Sequence, residues 1–492
     1  MRRYEGMGLS FVPAPPVRQE EANRVSEAAA KPALRLASVV SALSRALDLS
    51  TGQPVGHSVR SCIIGMRIAE ELGLSFQTRT DLFYALLLKD CGCSGNASKT
   101  FHALVADDLK AKRDVKTIDW TRVGWESLQY ALSHVAVGKP FIERTRALFK
   151  LAIIQKTHTR EVTKIRCERG YTLARLMGLS ESVASGILNL DEHWDGRGEP
   201  LGLRRTEIPI LSRIMLLAQT LEVFFAAQGE SAALSVIRQR IWTWFDPDLV
   251  KAALSACSRR SLFAGLAGEQ AFSLVLEFDQ ECRTMSRDDA TLDSICLAFS
   301  QIVDAKSPFT FNHSKGVANA SVAVAARLQL PRDRILFIRH AALLHDLGKL
   351  SVSNAILEKP GKLDEAEWEI MRAHPFHTWD TLRAIPGLED MTEVAASHHE
   401  KLDGKGYFRG LSAGQLSKEA RILVVADIFD ALSAKRPYRD SLPPEKVFGI
   451  MHKDAPHAID GECLAALEES GAGSDQTYVD LQNLNLQLTS YR

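Results

Sequence analysis

The sequence predicts an all-α fold, and two observations lead to that prediction. Apolar residues recur at helical spacing, as where Ile338, Ala341, Ala342 and His345 follow one another at i, i+3, i+4 and i+7. Alternation of apolar and polar residues, the pattern of a half-buried strand, is scarce. At 492 residues the chain is too long for one hydrophobic core. Because domains usually contain about 100 to 200 residues, we expect two or three of them.

The chain also resembles itself, which predicts a tandem duplication. Asp48 precedes His57 by nine residues, just as Asp304 precedes His313. The segment LLLKDCG follows the first histidine at the distance at which ALLHDLG follows the second, and EHWDGRGEPLGL later matches EKLDGKGYFRGL. Matched spacings of this kind are typical of internal repeats. The first copy is longer by an insertion of 48 residues, which we expect within about 95–150.

The duplication divides the chain into five predicted parts. A flexible leader rich in Pro, Ala and charge covers residues 1–33, and the first copy covers 34–250. A helical or irregular connection, 251–287, leads to the second copy at 288–470. The segment 471–492, which begins with GAGSDQ, is predicted to be a loosely ordered tail.

Composition excludes several classes of protein. Lys plus Arg and Asp plus Glu both number 60, so no global field attracts bulk nucleic acid or an acidic membrane. The eight cysteines form no CxxC pair, which indicates free thiols in a reducing cytosol. The N-terminus lacks the apolar core of a signal peptide, and polar residues interrupt the apolar run 208–227. We therefore predict a cytoplasmic protein without a membrane span.

The second copy contains seven potential metal ligands, several of them on segments that read as buried helix. Such side chains are costly to bury without a function. Imidazole and carboxylate together suit Fe, Mn or Zn, and seven ligands are too many for one ion. Two divalent metals are therefore predicted, about 3.5 to 4 Å apart, with Asp346 as the candidate bridge between them. Any one such residue alone would more often be a core histidine or a capping aspartate. The predicted ligands are His313, His345, Asp346, His374, His398, His399 and Asp427.

Five nearby residues are candidates for substrate binding. Lys349 lies just after the predicted ligand pair and could reach a phosphate oxygen as a point charge. Tyr407, in a glycine-rich turn, could stack on a base or bond a phosphate. Arg436, Tyr438 and Arg439 offer two guanidinium groups and a ring suited to phosphate and base recognition. The alternatives are a solvated lysine, an ordinary turn and a surface loop.

These motifs resemble a known family. The sequence HDLGK from His345, the run HHEKLDGKGY from His398, and the segment Arg421–Arg439 are similar to the HD-GYP branch of the HD-domain metal-dependent phosphohydrolases. KSPFTFNHS fits the family's opening helix and first histidine, and AHP at 373–375 fits its middle histidine. The resemblance covers residues 288–470 and implies two tandem HD-domain-like helical bundles.

The same resemblance implies an activity. It points to hydrolysis of a cyclic dinucleotide, most of all cyclic di-GMP, by attack of a metal hydroxide on phosphorus. Asp346 and Lys349 would be the catalytic residues, and iron or manganese the metals. Two alternatives stay open: a phosphohydrolase of another nucleotide or phosphate ester, and a non-catalytic nucleotide sensor or scaffold in signalling.

Two departures from the family pattern limit what the resemblance implies. Phe408 stands where the family name specifies proline, so we expect a less rigid turn and a possible change of substrate or partner. Phe309 lies one helical turn before His313, where some members carry a glutamate that helps to hold a third metal. The sequence therefore predicts two metals.

The first copy keeps the spacings but loses most ligands, so we predict that it binds no metal. His57 and Asp90 persist there. The replacements are Lys89 for the second copy's HD histidine, Leu190 and Asp191 for its histidine pair, Gln219 for its late aspartate, and Arg166 or Cys167 for its middle histidine. This copy could pack against the second, bind a nucleotide without cleaving it, or receive a partner protein.

Overall fold

The computed structural model describes most of the chain from residue 34 to residue 471. The described residues are 34–120, 124–260, 262–281, 283–285, 290–434, 440–455 and 457–471, without the side chains of 154–156 and 260. The predicted leader, the predicted substrate-binding residues Arg436, Tyr438 and Arg439, and residues 472–492 of the predicted tail lie outside them.

The described chain folds almost entirely into α-helices, which confirms the predicted class. The helices of the first copy are α1 (Leu36–Ser50), α2 (His57–Glu71), α3 (Phe76–Leu88), α4 (Ala97–Leu104), α5 (Asp108–Val115), α6 (Trp125–His134), α7 (Phe141–Leu176), α8 (Glu181–Leu188), α9 (Ile210–Gln228) and α10 (Glu230–Gln239).

The predicted connection is partly helical and also holds a short strand. Helices α11 (Pro247–Arg260) and α12 (Gln270–Val275) precede β2 (Thr284–Met285), which pairs antiparallel with β1 (Leu34–Arg35). In the described residues the strands are confined to this two-stranded ladder. The pairing joins the start of the first copy to the approach to the second.

The second copy repeats the helical architecture. Its helices are α13 (Ala290–Asp304), α14 (His313–Arg327), α15 (Arg332–Leu344), α16 (Asn354–Leu357), α17 (Glu365–Arg372), α18 (His374–Leu382), α19 (Glu389–Ala396), α20 (Lys418–Ser433), α21 (Pro444–Asp454) and α22 (Gly461–Glu469). A short 3-10 turn, Leu347–Ser351, follows α15.

Matching contacts recur in the two halves. Asp48 accepts hydrogen bonds from the backbone N–H and the hydroxyl of Ser58, and Asp304 accepts the same pair from Ser314. Burial raises the pKa of both aspartates to about 7. Each aspartate ties the end of one helix to the start of the next. The duplication and its boundaries stay predictions, and these paired contacts support them.

A second pair of carboxylates folds the glycine-rich turn of each half. Glu192 accepts hydrogen bonds from the backbone N–H groups 9, 10 and 11 residues further along the chain. Glu400 accepts from the N–H groups at the same three spacings. Three backbone donors that would otherwise lack partners are thereby satisfied by one side chain in each turn. The turn that follows His398 and His399 is therefore stabilised by the same three hydrogen bonds as its counterpart in the first half.

A close contact at a glycine in each half shows which residue of the first copy corresponds to His374, the middle histidine of the second copy. A Cβ placed on Gly348 would lie 1.9 Å from the carbonyl oxygen of His374, and a Cβ on Gly92 would lie 1.9 Å from that of Arg166. In both halves a glycine thus allows the turn after the third helix to touch a later helix closely. Arg166, and not Cys167, is the structural counterpart of His374.

The described residues of the two halves pack into one compact unit. Helix α1 contacts both α18 and the turn Leu347–Ser351 of the second half. At the start of α5, the Asp108 carboxylate accepts a 2.8 Å hydrogen bond from the backbone N–H of Asn354. The Lys306 ammonium donates to the carbonyl of Leu350 at 2.5 Å. The segment after His345 and Asp346 is therefore held by contacts from both halves.

Helix α9 is, among the described residues, the one long and apolar enough to cross a membrane by length and composition. Most of its residues are buried within the protein, where it packs on α2 and α10. This packing supports the prediction that the run 208–227 is not a membrane span.

Gly348→Ala should destabilise the fold, because the added methyl would collide with a backbone carbonyl that no side-chain rotation can move. We expect the free energy of unfolding to fall by about 1–3 kcal/mol, as for other overpacked positions, in a urea titration. Gly414→Ala is the matched control, since a Cβ there meets no atom within 4 Å. Equal stability of the two variants would contradict the close contact at Gly348.

Candidate metal centre

All seven predicted ligands converge on one place in the second half. Most of them sit at helix ends, where a side chain can turn into the centre of the bundle. His313 and His374 are the first residues of α14 and α18, and Asp427 lies within α20. The pair His345–Asp346 directly follows α15, and the pair His398–His399 follows α19 after one residue. All are buried apart from His399, whose side chain is 26% exposed.

One set of ligand atoms lies around the Oδ2 atom of Asp346. The Nε2 atoms of His313 and His345 each lie 3.4 Å from Asp346 Oδ2. The same two nitrogens lie 3.3 and 3.8 Å from Asp427 Oδ1. One nitrogen of His313, one of His345 and one oxygen of Asp427 fall within 4.8 Å of one another, close enough to hold a single ion.

A second set lies around the other oxygen of the same carboxylate. The Nε2 atoms of His374 and His398 lie 3.4 and 3.6 Å from Asp346 Oδ1 and 3.0 Å from each other. His399 completes this group, again with ligand atoms within 4.8 Å of one another. Asp346 therefore directs one oxygen towards each set, which is the arrangement of a carboxylate that bridges two metals.

Backbone carbonyls orient three of the histidine rings. The Nδ1 atoms of His345, His374 and His398 lie 2.7, 2.6 and 2.7 Å from the carbonyl oxygen three residues earlier. Each Nδ1 therefore carries a proton and donates it, which leaves the lone pair of Nε2 facing the centre. Outer hydrogen bonds of this kind fix the tautomer of metal-binding histidines.

The protonation states also suit a metal site. Burial lowers the pKa of His345 to about 4 and holds the pKa values of His374 and His399 well below their usual range. These imidazoles are therefore neutral near pH 7, the form that binds metals. Burial alone would raise the pKa of Asp346, but the Lys349 ammonium and, after it, the neighbouring histidines outweigh burial and hold that pKa well below the ordinary value.

Several atoms at the centre have unsatisfied bonding capacity, which tests whether a metal fits there. His313 Nε2, His345 Nε2 and Asp346 Oδ1 are buried and have no hydrogen-bond partner among the described residues. Buried polar atoms are rarely left in this state, because each costs about 1–3 kcal/mol. Coordination to divalent cations would satisfy all three, so the donor set fits metal ions.

Lys349 and the glycine-rich turn lie beside this centre. The Lys349 ammonium lies 2.5 Å from Asp346 Oδ2. The ring of Tyr407 packs on the ring of His399, with centroids 4.6 Å apart, so one face of Tyr407 is already covered. Burial raises the pKa of its hydroxyl, which stays protonated at neutral pH. Both residues are therefore placed beside the predicted ligands.

The turn at Phe408 differs from one built on proline. Phe408 has a φ of +91°, in the left-handed region, whereas a proline ring fixes φ near −65°. Its ring lies 5.9 Å from that of Phe376 and 6.2 Å from that of Trp379. Aromatic packing thus anchors this turn in a backbone conformation that proline could not adopt.

Sequence reasoning missed Asp430. Its carboxylate lies 2.6 Å from Nδ1 of His313 and so orients that ring, the role that backbone carbonyls play for the other histidines. Gly316 makes room for it, since a Cβ there would lie 2.0 Å from the carboxylate. A signal was present in the repeat: Asp430 lies three residues after Asp427, on the same helix face, and the first copy also has an acid at that position.

In the first half, cations occupy the corresponding centre. The Lys89 ammonium contacts Asp90 and lies 2.9 Å from His57 Nε2. Lys116, from the inserted segment, lies 3.1 Å from the other oxygen of Asp90. Arg166 pairs with Asp191. The carboxylate that corresponds to Asp346 is thus neutralised by side chains, and the absence of metal from this copy stays a prediction.

Comparison with known proteins agrees with this geometry. The HD domain family matches the chain twice, over residues 131–249 and 298–463, which fall in the two predicted copies. The 3'3'-cGAMP-specific phosphodiesterase 3 of Vibrio cholerae serotype O1 is 40% identical over 435 residues, which cover 88% of this chain and 94% of that protein. The cyclic di-GMP phosphodiesterase response regulator RpfG of Xanthomonas campestris is 35% identical over 155 residues, 31% of this chain and 41% of its own length.

A solved structure extends the similarity to the fold. The crystal structure of a cyclic GMP-AMP specific phosphodiesterase of V. cholerae aligns with a TM-score of 0.62 and 36% identity, over 90% of this chain and 99% of that one. The similarity thus covers most of the chain and is not confined to the second half. With its HD pair, its histidine pair and the turn that follows them, the chain belongs to the HD domain family, in the HD-GYP branch.

Proposed function

We propose that this protein is a metal-dependent phosphodiesterase that hydrolyses a cyclic dinucleotide, with 3'3'-cGAMP as the first candidate substrate. The single observation that carries the proposal is the Asp346 carboxylate, placed between two sets of histidine imidazoles. That arrangement suits two cations about 3.5 to 4 Å apart, the spacing found in two-metal phosphoryl-transfer sites.

The seven converging residues are the proposed ligands. His313, His345 and Asp427 would hold one ion and His374, His398 and His399 the other, with Asp346 between them. When bound, the two ions would supply Lewis acidity at phosphorus and lower the pKa of an attacking water. Imidazole-rich sets with carboxylates favour iron or manganese over magnesium or calcium, and these two metals are our candidates.

Lys349 is the proposed catalytic cation. Its ammonium already lies against the bridging carboxylate, so it is positioned beside the place where a phosphoryl oxygen would bind. A fixed positive charge there stabilises the negative charge that develops on phosphoryl oxygens as the bond to the leaving group breaks. Asp346 in turn holds Lys349 and thereby orients it.

The choice of substrate rests on the relatives. The relative that matches along nearly its whole length is named for 3'3'-cGAMP, whereas the matched part of RpfG, named for cyclic di-GMP, is 31% of this chain. Since the similarity to the cGAMP enzyme includes the first half, we favour 3'3'-cGAMP and keep cyclic di-GMP as the second candidate. The packed Phe408 turn, which differs from a proline turn, is the local feature through which the preference could differ.

Asp346→Asn should abolish the two-metal site, because an amide carries no charge to share between two cations. After anaerobic loading with Fe(II) or Mn(II), we expect about two metals per chain in the wild type and fewer than one in the variant. Asp403→Asn is the control, since Asp403 lies in the turn outside the centre and its amide oxygen can still accept from Lys405. A variant that keeps about two metals would refute the bridging role.

Lys349→Gln should slow turnover while the metals stay bound, because the lysine contacts the carboxylate and is no ligand itself. We expect kcat to fall about 100- to 1,000-fold, the usual cost of one electrostatic stabiliser at a reacting oxygen. Lys405→Gln, which alters an exposed lysine of the neighbouring turn, is the matched control. A rise in KM with kcat unchanged, or loss of metal in parallel with activity, would contradict the assigned role.

The proposed substrate preference can be measured directly. The manganese- or iron-loaded protein, given equal amounts of 3'3'-cGAMP and cyclic di-GMP in one reaction, should consume 3'3'-cGAMP first, as followed by chromatography. This competition reports the ratio of the two kcat/KM values. A ratio in favour of cyclic di-GMP would overturn the preference but not the phosphodiesterase assignment. Full metal occupancy without turnover of either compound would instead favour the sensor alternative.

A further inference from the structure

A cavity of about 240 Å³ opens beside the corresponding centre of the first half. Its walls come from the inserted segment, from α7 and α9, and from the turn that follows α10. They combine cations with aromatic and amide side chains. The residues on which the following inference rests are Lys112, Lys116, Arg166, Gln219, Trp120 and Trp244.

The cationic wall lies where the second half collects metal ligands. Arg166 corresponds to His374, and Lys116 reaches Asp90, the counterpart of Asp346, at 3.1 Å. The Lys116 side chain is 12% exposed and lines the cavity, so its ammonium has limited access to bulk water. Lys116 is paired with Asp90 and Arg166 with Asp191, which also lines the cavity, but each cation has several N–H donors, and those that remain can serve an anionic ligand. A phosphate group is the ligand chemistry that they fit best.

Two buried polar groups on the same wall have no hydrogen-bond partner among the described residues. Gln219 Oε1 and Trp244 Nε1 form no hydrogen bond with any described residue, although the two residues are only 9% and 6% exposed. Both line the cavity. An acceptor and a donor left unpaired at this depth cost about 1–3 kcal/mol each, and such groups in a folded protein usually have a bound partner. Together they could pair with the polar edge of a base.

An aromatic surface completes the cavity. The rings of Trp120 and Trp244 lie 6.1 Å apart in an edge-to-face arrangement. His193 packs against the Trp244 ring and the Arg240 guanidinium lies over it, so Trp120 offers the ring on which a base would stack. Aromatic faces of this kind bind nucleobases by stacking, at about 1–3 kcal/mol per base. Phosphate-binding cations and a base-binding surface therefore line the same space.

We propose that this cavity binds a nucleoside monophosphate and does not cleave it. The phosphate would lie against Lys116 and Arg166, and the base against Trp120, within reach of the Gln219 amide. The volume is small beside the pockets of about 300 to 1,000 Å³ that hold drug-sized ligands, which favours a mononucleotide over a cyclic dinucleotide. The inference concerns a second site and does not depend on the proposed activity of the first.

The test is isothermal titration of the full-length protein with GMP and with AMP, with inorganic phosphate as the reference anion. We expect saturable binding of at least one nucleotide. Lys116→Gln should weaken it about tenfold or more, the value of one charge-assisted hydrogen bond. Lys110→Gln is the matched control, because Lys110 lies on α5, which Lys116 directly follows, but is exposed and does not line the cavity.

Two further variants keep the result interpretable. Gln219→Leu removes an unpaired buried amide, so it should weaken nucleotide binding without lowering the melting temperature. Lys349→Gln tests binding at the metal centre instead. The proposal is wrong if neither nucleotide binds at millimolar concentration, if Lys116→Gln has no more effect than Lys110→Gln, or if Lys349→Gln alone weakens binding. If inorganic phosphate binds as tightly as the nucleotides, the base does not contribute to binding and that part of the proposal is wrong.

Discussion

The structure depends most on how a buried carboxylate is compensated at the centre of each half. Asp346 and Asp90 are both about 1% exposed, where an uncompensated charge would cost several kcal/mol. In the second half, imidazoles and Lys349 surround the carboxylate, and three buried atoms have no hydrogen-bond partner among the described residues. In the first half, Lys89 and Lys116 compensate the charge directly. The two halves differ most in this local balance of charge, while much of the surrounding scaffold is shared.

The position of the ligands follows from where helices end. The side chains at the start or just after the end of a helix can turn into the bundle centre, and the backbone carbonyls of the preceding turn then orient the rings of His345, His374 and His398. Glycines make the close approaches possible. Gly348 brings the HD turn against α18, and Gly316 leaves space for Asp430 behind His313. Precise ligand geometry therefore comes from helix packing as much as from the ligands themselves.

The inserted segment of the first half connects the two centres physically. Helix α5 carries Lys112 on the cavity wall, and the Asp108 carboxylate at its start accepts a hydrogen bond from Asn354, which follows the turn that bears Lys349. Asp108 also lies 3.7 Å from the Lys112 ammonium. A ligand that draws Lys112 towards the cavity would act on the same carboxylate that holds the second half. This contact gives the duplicated chain a route by which the first copy could influence the second.

The sequence by itself determined the helical class, the seven residues that converge and the family, because buried histidines and aspartates are rare and the repeat showed which spacings the scaffold requires. It did not determine which oxygen of Asp346 faces which imidazole, that Arg166 corresponds to His374, or that Asp430 orients His313. These depend on contacts between helices far apart in the chain, which residue spacing does not encode. The left-handed backbone of Phe408 and the cavity of the first copy were likewise decided by packing. Tertiary structure alone brings Gln219, Lys116 and Trp244, from three separate segments, to one wall.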